Sequence, residues 1–421
     1  MLDKINKYIY DKKQLFHYYW YYKWMGFSWR VIRIQNYYKA KEVRKHKKIS
    51  FMFVLSDLTV WKTELLYQAM CKHPRFTPII AIVPNSEKLD AHIKVEEYCK
   101  VKGYDYVIPK KGETLVQQYA PDIILYQKPY DSWIADEYFI ARNMKALIVH
   151  IPYGLHTHKE LWGMNQMHYI YSWQYYYENN LCAQPQRALS INRGKNVVVT
   201  GLPMLDELNL PASSFSDPWK DKTGKKRIIW APHHTIGGIA NKGVAYATFL
   251  QYNNFMIEMA EKYKDLITIA FKPHGVLYQN LVRVWGEDKA NEYYAKWDSM
   301  PNTQVVNGKY VDLFKYSDGM IHDCGAFKIE YLYTCKPVMY LTNNVEEQTH
   351  NLNDFAKQAF YLHYVGKNKE DIEQFILNVI SGCDTKYKDR KNFYKKSLCP
   401  PNGITACENI INSILGVKGY K

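Results

Sequence analysis

Short apolar runs, each closed by a polar or turn-forming residue and followed by helical periodicity, recur along most of this chain. In the first half they are Ile49 to Leu55, Pro78 to Val83, Tyr104 to Ile108, Asp122 to Tyr126 and Ala146 to Ile151. Each is short and apolar with polar or helical sequence after it, so the pattern predicts strands. A polar stretch with Pro and Ser, Asn209 to Lys226, breaks the alternation, and a second series begins: Arg227 to Trp230, Leu266 to Phe271, Thr303 to Val306, Gly319 to His322 and Pro337 to Leu341. Near-continuous apolar strands alternating with helices predict parallel sheets covered on both faces. The expected architecture is α/β, with two doubly wound, Rossmann-like domains over 49–215 and 216–421 that face each other across a cleft. A basic, aromatic, helical extension, 1–48, precedes them.

Two of these strand ends carry candidate chemistry. The strand Gly319 to His322 ends in Asp323 and a turn of small residues, Cys324, Gly325 and Ala326, before a helix bearing Glu330. Backbone N–H groups at such a turn can face a diphosphate because nothing bulky intervenes. Glu330, two turns on, could reach ribose hydroxyls. A tight strand-to-helix turn also needs small residues for its own sake, so the turn alone admits both readings. Upstream, FKPHG (Phe271 to Gly275) places Lys272 and His274 where another strand ends. A cation and an imidazole at that position suit a phosphate.

Charge changes the picture at one end of the chain. The formal net charge is +15, and residues 1–48 hold thirteen Lys or Arg against three acids, a net of +10. The same stretch contains FHYYWYYKWMGFSW (Phe16 to Trp29), and aromatic rings interleaved with cations suit the headgroup layer of an anionic membrane. Packing of these aromatics on the body of the protein or on a second subunit is the competing reading. Nucleic acid is not expected as a partner, because no recognition motif accompanies the charge. The eight cysteines form no CxxC pair and no zinc spacing, as in a cytosolic protein with reduced thiols. No apolar stretch approaches the roughly 20 residues that span a bilayer, and no signal-peptide core opens the chain. The expected location is therefore the cytoplasm, at the inner face of the plasma membrane. No acidic cluster has Mg²⁺-ligand spacing, so no metal site is expected in the protein itself. Asp57 fits a place lining the acceptor cleft, but Ser56 and Asp57 equally suit a helix N-cap, the preferred reading, and Tyr175, Tyr176 and Tyr177 fit either a helix face or a polymer contact.

An ordered set of motifs extends this reading. Asp312 and Leu313, Ser317 and Asp318, Asp323 with its small residues, Glu330 seven positions on, and Lys336 and Pro337 together resemble the C-terminal signature of the CDP-glycerol glycerophosphotransferases, the polymerases and primases of wall and capsule teichoic acids. APHHT (Ala231 to Thr235) is similar to that family's strand-end "APT", KPHG to its "RPHP", VVVTGLPMLDEL (Val197 to Leu208) to "TGYPRND", and IPYGLHTHK (Ile151 to Lys159) to "HGTPLK". The resemblance spans about residues 145–345. It departs where the family carries two serines (here Gly325 and Ala326), at the His of "HG" (here Tyr153) and at the Arg of "PR" (here Met204). Gly-rich turns before a helical Glu also resemble those of nucleotide-sugar 2-epimerases and GT-B glycosyltransferases.

The resemblance implies a GT-B fold with the donor nucleotide on the second domain and the acceptor on the first. It further implies transfer of a polyol phosphate from a CDP-linked donor to a lipid-linked or polymeric acceptor, without a tightly bound cofactor. Any Mg²⁺ would enter through the donor diphosphate. Lys272 and His274 would contact that diphosphate, joined by His233, His234 and Thr235 and by the turn of Asp323, Gly325 and Ala326, with Glu330 on the ribose. The general base is assigned to His156, the histidine of the loop nearest the family's own, with Tyr153, Gly154, His158 and Lys159 on the acceptor side. His150 fits equally a core position. A GT-B glycosyltransferase acting on a nucleotide sugar is the alternative, and a non-catalytic polymer-binding relic is a third. An oligomer is left open.

Overall fold

The computed structural model describes residues 2–128, 133–159, 164–236 and 247–419, with residues 2–22 described as helix backbone only. The apolar runs become two sheets. The first contains β1 (Ile49–Leu55), β2 (Phe76–Ile82), β3 (Tyr106–Val107), β4 (Ile123–Tyr126), β5 (Leu147–His150), β6 (Gln174–Tyr177) and β7 (Val197–Val199), in the order β3-β2-β1-β4-β5-β6-β7. The second contains β8 (Lys226–Ala231), β9 (Ile267–Phe271), β10 (Thr303–Val305), β11 (Gly319–His322), β12 (Val338–Leu341) and β13 (Tyr364–Gly366), in the order β10-β9-β8-β11-β12-β13. Every strand pairing within the two sheets, among the described residues, is parallel. Each residue of β4 and β9 is buried, as central parallel strands require.

All ten expected strands form, with ends shifted by up to two residues, and three more join them. β6 is the tyrosine run: Tyr175, Tyr176 and Tyr177 are buried strand residues, so neither the helix face nor the polymer contact holds. His150 ends β5 in the core, with its ring stacked on Tyr175 at 4.7 Å. Asp57 caps as expected: it accepts from Thr59 N–H at 2.9 Å and pairs with Lys88 at 2.6 Å.

Contacts divide the chain into two compact units, Met1–Leu155 with Glu160–Asp206 and Pro400–Lys421, and His156–Lys159 with Glu207–Cys399. The sequence reading placed 400–421 in the second domain, whereas the helix Ala406–Leu415 belongs to the first unit. Its ends show why. The Asp206 carboxylate accepts from Ala406 N–H at 2.7 Å and Cys407 N–H at 2.9 Å, an N-terminal cap. At the other end the Arg44 guanidinium donates to Ile414 O at 2.9 Å and Ser413 O at 3.2 Å, satisfying last-turn carbonyls. Gly416 follows at φ 77°, a left-handed conformation that favours glycine, and a side chain there would displace the Arg44 guanidinium from its carbonyls.

In the first unit α1 (Leu2–Val43) buries Met25 and Trp29 against Ile170 and Tyr171. The cations and rings expected before residue 23, including the first half of the run from Phe16 to Trp29, lie outside the described side chains. In the second unit Phe271 of β9 stacks on Trp230 of β8 and on Trp297, and all three ring centroids lie within 5.4 Å of one another. That aromatic core fixes the ends of β8 and β9, from which the candidate histidines emerge.

Candidate active site

The order of the second sheet reverses between β8 and β11, a switch point outside whose carboxyl ends α/β sheets place ligands. The loops that leave β8, β9 and β11 carry the sequence-predicted donor residues. The ladder continues past the strands, with Lys272 N–H donating to Trp230 O at 2.8 Å and His274 N–H to Pro232 O at 3.2 Å. The β8 and β9 loops thus run side by side, and three imidazoles gather, with ring centroids 4.2 Å (His233–His234), 4.3 Å (His234–His274) and 4.9 Å (His233–His274) apart.

Hydrogen bonds decide what these rings offer. His274 Nδ1 accepts from Val276 N–H at 3.2 Å, so the neutral ring carries its proton on Nε2. His233 Nδ1 meets Thr235 Oγ1 at 3.1 Å, which makes buried Thr235 a positioning residue. Asn280 Nδ2 donates to His234 O at 2.9 Å and lies 3.5 Å from its Nδ1. One nitrogen from each ring lies within 4.8 Å of the others, a spacing a divalent cation could bridge. His274, however, turns an N–H rather than a lone pair outward, which suits an anionic oxygen better than a metal.

Electrostatics point the same way. Burial, and then the positive charge of His234, His274 and Lys328, holds His233 down to about 3. Burial, His234 and Lys272 hold His274 down to about 4. The two rings are therefore neutral near pH 7. Below about 6.5 the unfolded chain takes up protons that these folded rings refuse, so their contribution to stability is complete above about 6.5 and is lost as pH falls toward 4. The thermal midpoint is expected to drop between pH 7 and 4.5, and to drop less steeply in His233→Gln; parallel curves would show that the ring is not held neutral.

Two ammonium groups border the trio. Lys272 is buried, lies 6.0 Å from the Tyr310 ring, and is lowered by burial. Lys328 is buried 4.6 Å from the Tyr340 ring and pushed down to about 8. No carboxylate among the described residues forms an ion pair with either.

Asp323 does not face this cradle. It is fully buried, Oδ1 accepting from His233 N–H at 2.6 Å and Oδ2 from Thr248 N–H at 2.6 Å and Thr248 Oγ1 at 2.9 Å. Burial pushes its carboxyl up while the three donors pull it down. The expected phosphate contact is thus a clasp that ties the β8 loop and the start of helix Phe249–Lys262 to the end of β11. Beyond it Gly325 and Ala326 are exposed. A Cβ on Gly325 would meet nothing within 4 Å among the described residues, its φ is not positive, and the same holds for Gly275. Among the described residues the fold itself does not demand glycine at either place, which weakens the tight-turn reading. Glu330 is buried with Oε2 accepting from Tyr310 Oη at 2.6 Å.

On the acceptor side, Tyr153 and Gly154 belong to the first unit, where the Tyr153 ring lies 6.3 Å from Trp133. The next four residues do not. His156 O accepts from Asn353 Nδ2 at 2.7 Å, Thr157 O from Asn353 N–H at 3.0 Å, and Lys159 N–H and Nζ donate to Asn351 O and His350 O, each at 2.9 Å. His158 bridges Leu352. This backbone pairing puts 156–159 in the second unit, so the expected base His156 is not presented by the first domain. Its ring is buried, whereas that of His158 is exposed.

Sequence reasoning passed over Lys328, Tyr310, Thr248 and Asn280. Lys328 alone had a readable signal, a cation in the first turn after the small residues.

No protein-family profile matches the sequence, and none of the curated proteins matches it. Solved structures do match in fold. A variant of the wall teichoic acid polymerase TagF superposes with a TM-score of 0.56 at 13% identity, over 92% of this chain and 96% of that one. UDP-GlcNAc 2-epimerase from Neisseria meningitidis, bound to UDP-GlcNAc, gives 0.55 at 15%, over 87% and 99%. S. aureus MnaA with UDP gives 0.53 at 16%, over 88% and 96%. At these identities the likeness is one of fold: two parallel Rossmann-like sheets in a GT-B-like arrangement of elements.

Proposed function

We propose that this chain is a transferase that binds a CDP-linked polyol phosphate, such as glycerol phosphate, and passes the polyol phosphate to a lipid-linked or polymeric acceptor of a bacterial surface polymer, a teichoic acid or capsule. One observation carries the donor half of the reading. At the switch point of the second sheet three imidazoles gather with two buried ammonium groups beside them, and the one acid of the turn is consumed in a clasp. A diphosphate supplies the negative charge such a place lacks.

In the transfer, an acceptor oxygen forms a bond to the distal phosphorus while the bridging P–O bond to CMP breaks. The acceptor proton passes to a base, which we assign to His156, and CMP leaves with the electron pair. Charge gathers on the phosphoryl and leaving oxygens, so positioned donors do most of the catalytic work. His274 Nε2–H and the Lys272 ammonium fill that role, with His233, His234 and Lys328 beside them and Glu330 directed at the ribose. Tyr153, Gly154, His158 and Lys159 serve the acceptor. Backbone N–H groups at Gly325 and Ala326 replace the hydroxyls of two serines, and any Mg²⁺ arrives with the diphosphate.

Those missing hydroxyls favour the second reading, a glycosyltransferase that holds a nucleotide sugar in the same cradle, with attack at the anomeric carbon. The GT-B-like fold serves both chemistries. Calorimetric titration with CMP, CDP, UMP, UDP and GDP, followed by product analysis with the matching donor, separates them. CDP is expected to bind about tenfold or more tighter than UDP and GDP. Preference for UDP or GDP would transfer the protein to the glycosyltransferases, and no binding of any nucleotide would remove both enzyme readings.

A further inference from the structure

The described part of α1 has two opposite apolar faces. One, through Met25, Trp29, Ala40 and Val43, is buried against the first unit. It is fastened there by Ser28 Oγ to Tyr171 Oη at 2.8 Å and by Lys39 Nζ donating to Met144 O at 2.5 Å. The other is formed by Trp24, Phe27, Val31, Ile34 and Tyr38, which are 57, 67, 40, 60 and 62% exposed. Their spacing alternates three and four residues, and at about 100° per residue they make one stripe, nearly diametrically opposite the docked face. A helix already packed on the body has no structural need for a second apolar stripe in water.

What lies beside the stripe chooses its occupant. Lys23, Arg30 and Lys41 fall along one edge and are exposed, with Lys41 Nζ 4.5 Å from the Tyr37 ring. The acid at its end, Glu42, is paired with Lys45 at 2.7 Å. A second copy of the same helix would bring cations against cations, within a segment that carries +10 over 48 residues. Anionic lipid headgroups take both features at once, the rings at the acyl boundary and the cations among the phosphates. None of the described helices is long and apolar enough to cross a membrane, which leaves the in-plane mode for this helix.

We propose that α1 is an in-plane membrane anchor: its Trp24–Phe27–Val31–Ile34–Tyr38 stripe enters the interface of an anionic leaflet while the opposite face holds the first unit against it. This assignment does not depend on the donor chemistry. The anchor would hold the first unit at a membrane surface of the kind that carries a lipid-linked substrate.

The test is co-sedimentation of the full chain with vesicles of phosphatidylcholine alone and of phosphatidylcholine with phosphatidylglycerol, at about 0.1 and 0.5 M salt. Binding is expected to the phosphatidylglycerol vesicles, about tenfold or more weaker to phosphatidylcholine alone, and weaker at high salt. The triple variant Trp24→Ser, Phe27→Ser, Ile34→Ser should lose about tenfold or more in partitioning with its thermal midpoint nearly unchanged, since these side chains are mostly exposed and lie outside the buried face of the helix. Equal partitioning by variant and wild type overturns the proposal. So does a wild type that ignores both vesicles, and if it then sediments as a dimer that the triple variant dissociates, the stripe is a seam between copies of this chain.

Discussion

His274→Ala is expected to lower turnover with a nucleotide-linked donor by about 10²- to 10³-fold, the usual effect of losing one well-placed donor to a developing oxyanion, while the thermal midpoint stays near that of the wild type. The ring leaves the fold cheaply. It lies at the mouth of the β8 and β9 loops rather than in the aromatic core, and the main-chain bond from His274 N–H to Pro232 O survives the substitution. The loss should fall on kcat more than on KM if the bond strengthens as charge moves onto the leaving oxygen. A second readout separates a direct contact from a structural role. The neutral trio should take up protons when a diphosphate binds, because the added negative charge raises the imidazoles from their depressed values. Calorimetry of CDP binding in buffers of different ionisation enthalpy reads that uptake, and His274→Ala should diminish it. Near-normal turnover with unchanged proton uptake would take His274 out of the site.

Asp323→Ala should act by another route, through the fold. Removing the carboxylate strands two backbone N–H groups and the Thr248 hydroxyl around a fully buried void. At about 1–2 kcal/mol for each buried donor left unpaired, the second unit should lose roughly 3–6 kcal/mol. The expected result is a lower-temperature unfolding step assigned to that unit, early proteolysis after the β8 strand, and loss of nucleotide binding as the loop of His233 comes loose. Asp323→Asn keeps one acceptor oxygen and should fall between. A thermal midpoint unmoved by the alanine variant would mean that the clasp contributes nothing and that the carboxylate is free to meet the ligand after all.

The strands were readable because parallel sheets buried on both faces leave continuous apolar runs, and Phe51 to Leu55 or Ile267 to Phe271 can hardly be anything else. The misses have physical causes. β6 is written in tyrosines, whose hydroxyls disguise buried strand residues, and β7 and β13 span only three residues each. Lys272, His274, His233 and His234 could be found because strand ends at a switch point are where function gathers. Asp323 was misjudged because its partner Thr248 stands 75 residues away, beyond any local pattern. The two faces of α1 were invisible for a simpler reason: apolar positions on opposite sides of a helix cancel as a periodic signal, and only the structure separates the face that is covered from the one that is not.

The return of the C-terminal helix to the first unit sets an order for synthesis. Ala406 meets its cap Asp206 across 200 residues of chain, and at about 5–20 residues per second a ribosome takes roughly 10–40 s to supply it. For that interval the nascent first unit lacks a helix that buries Ile410, Ile411 and Ile414, and its apolar seat stays open to chaperones or to aggregation. Meanwhile the second unit, built almost entirely from Glu207–Cys399, emerges without interruption. The unit begun first is thus completed after the second, when the helix Ala406–Leu415 reaches its cap.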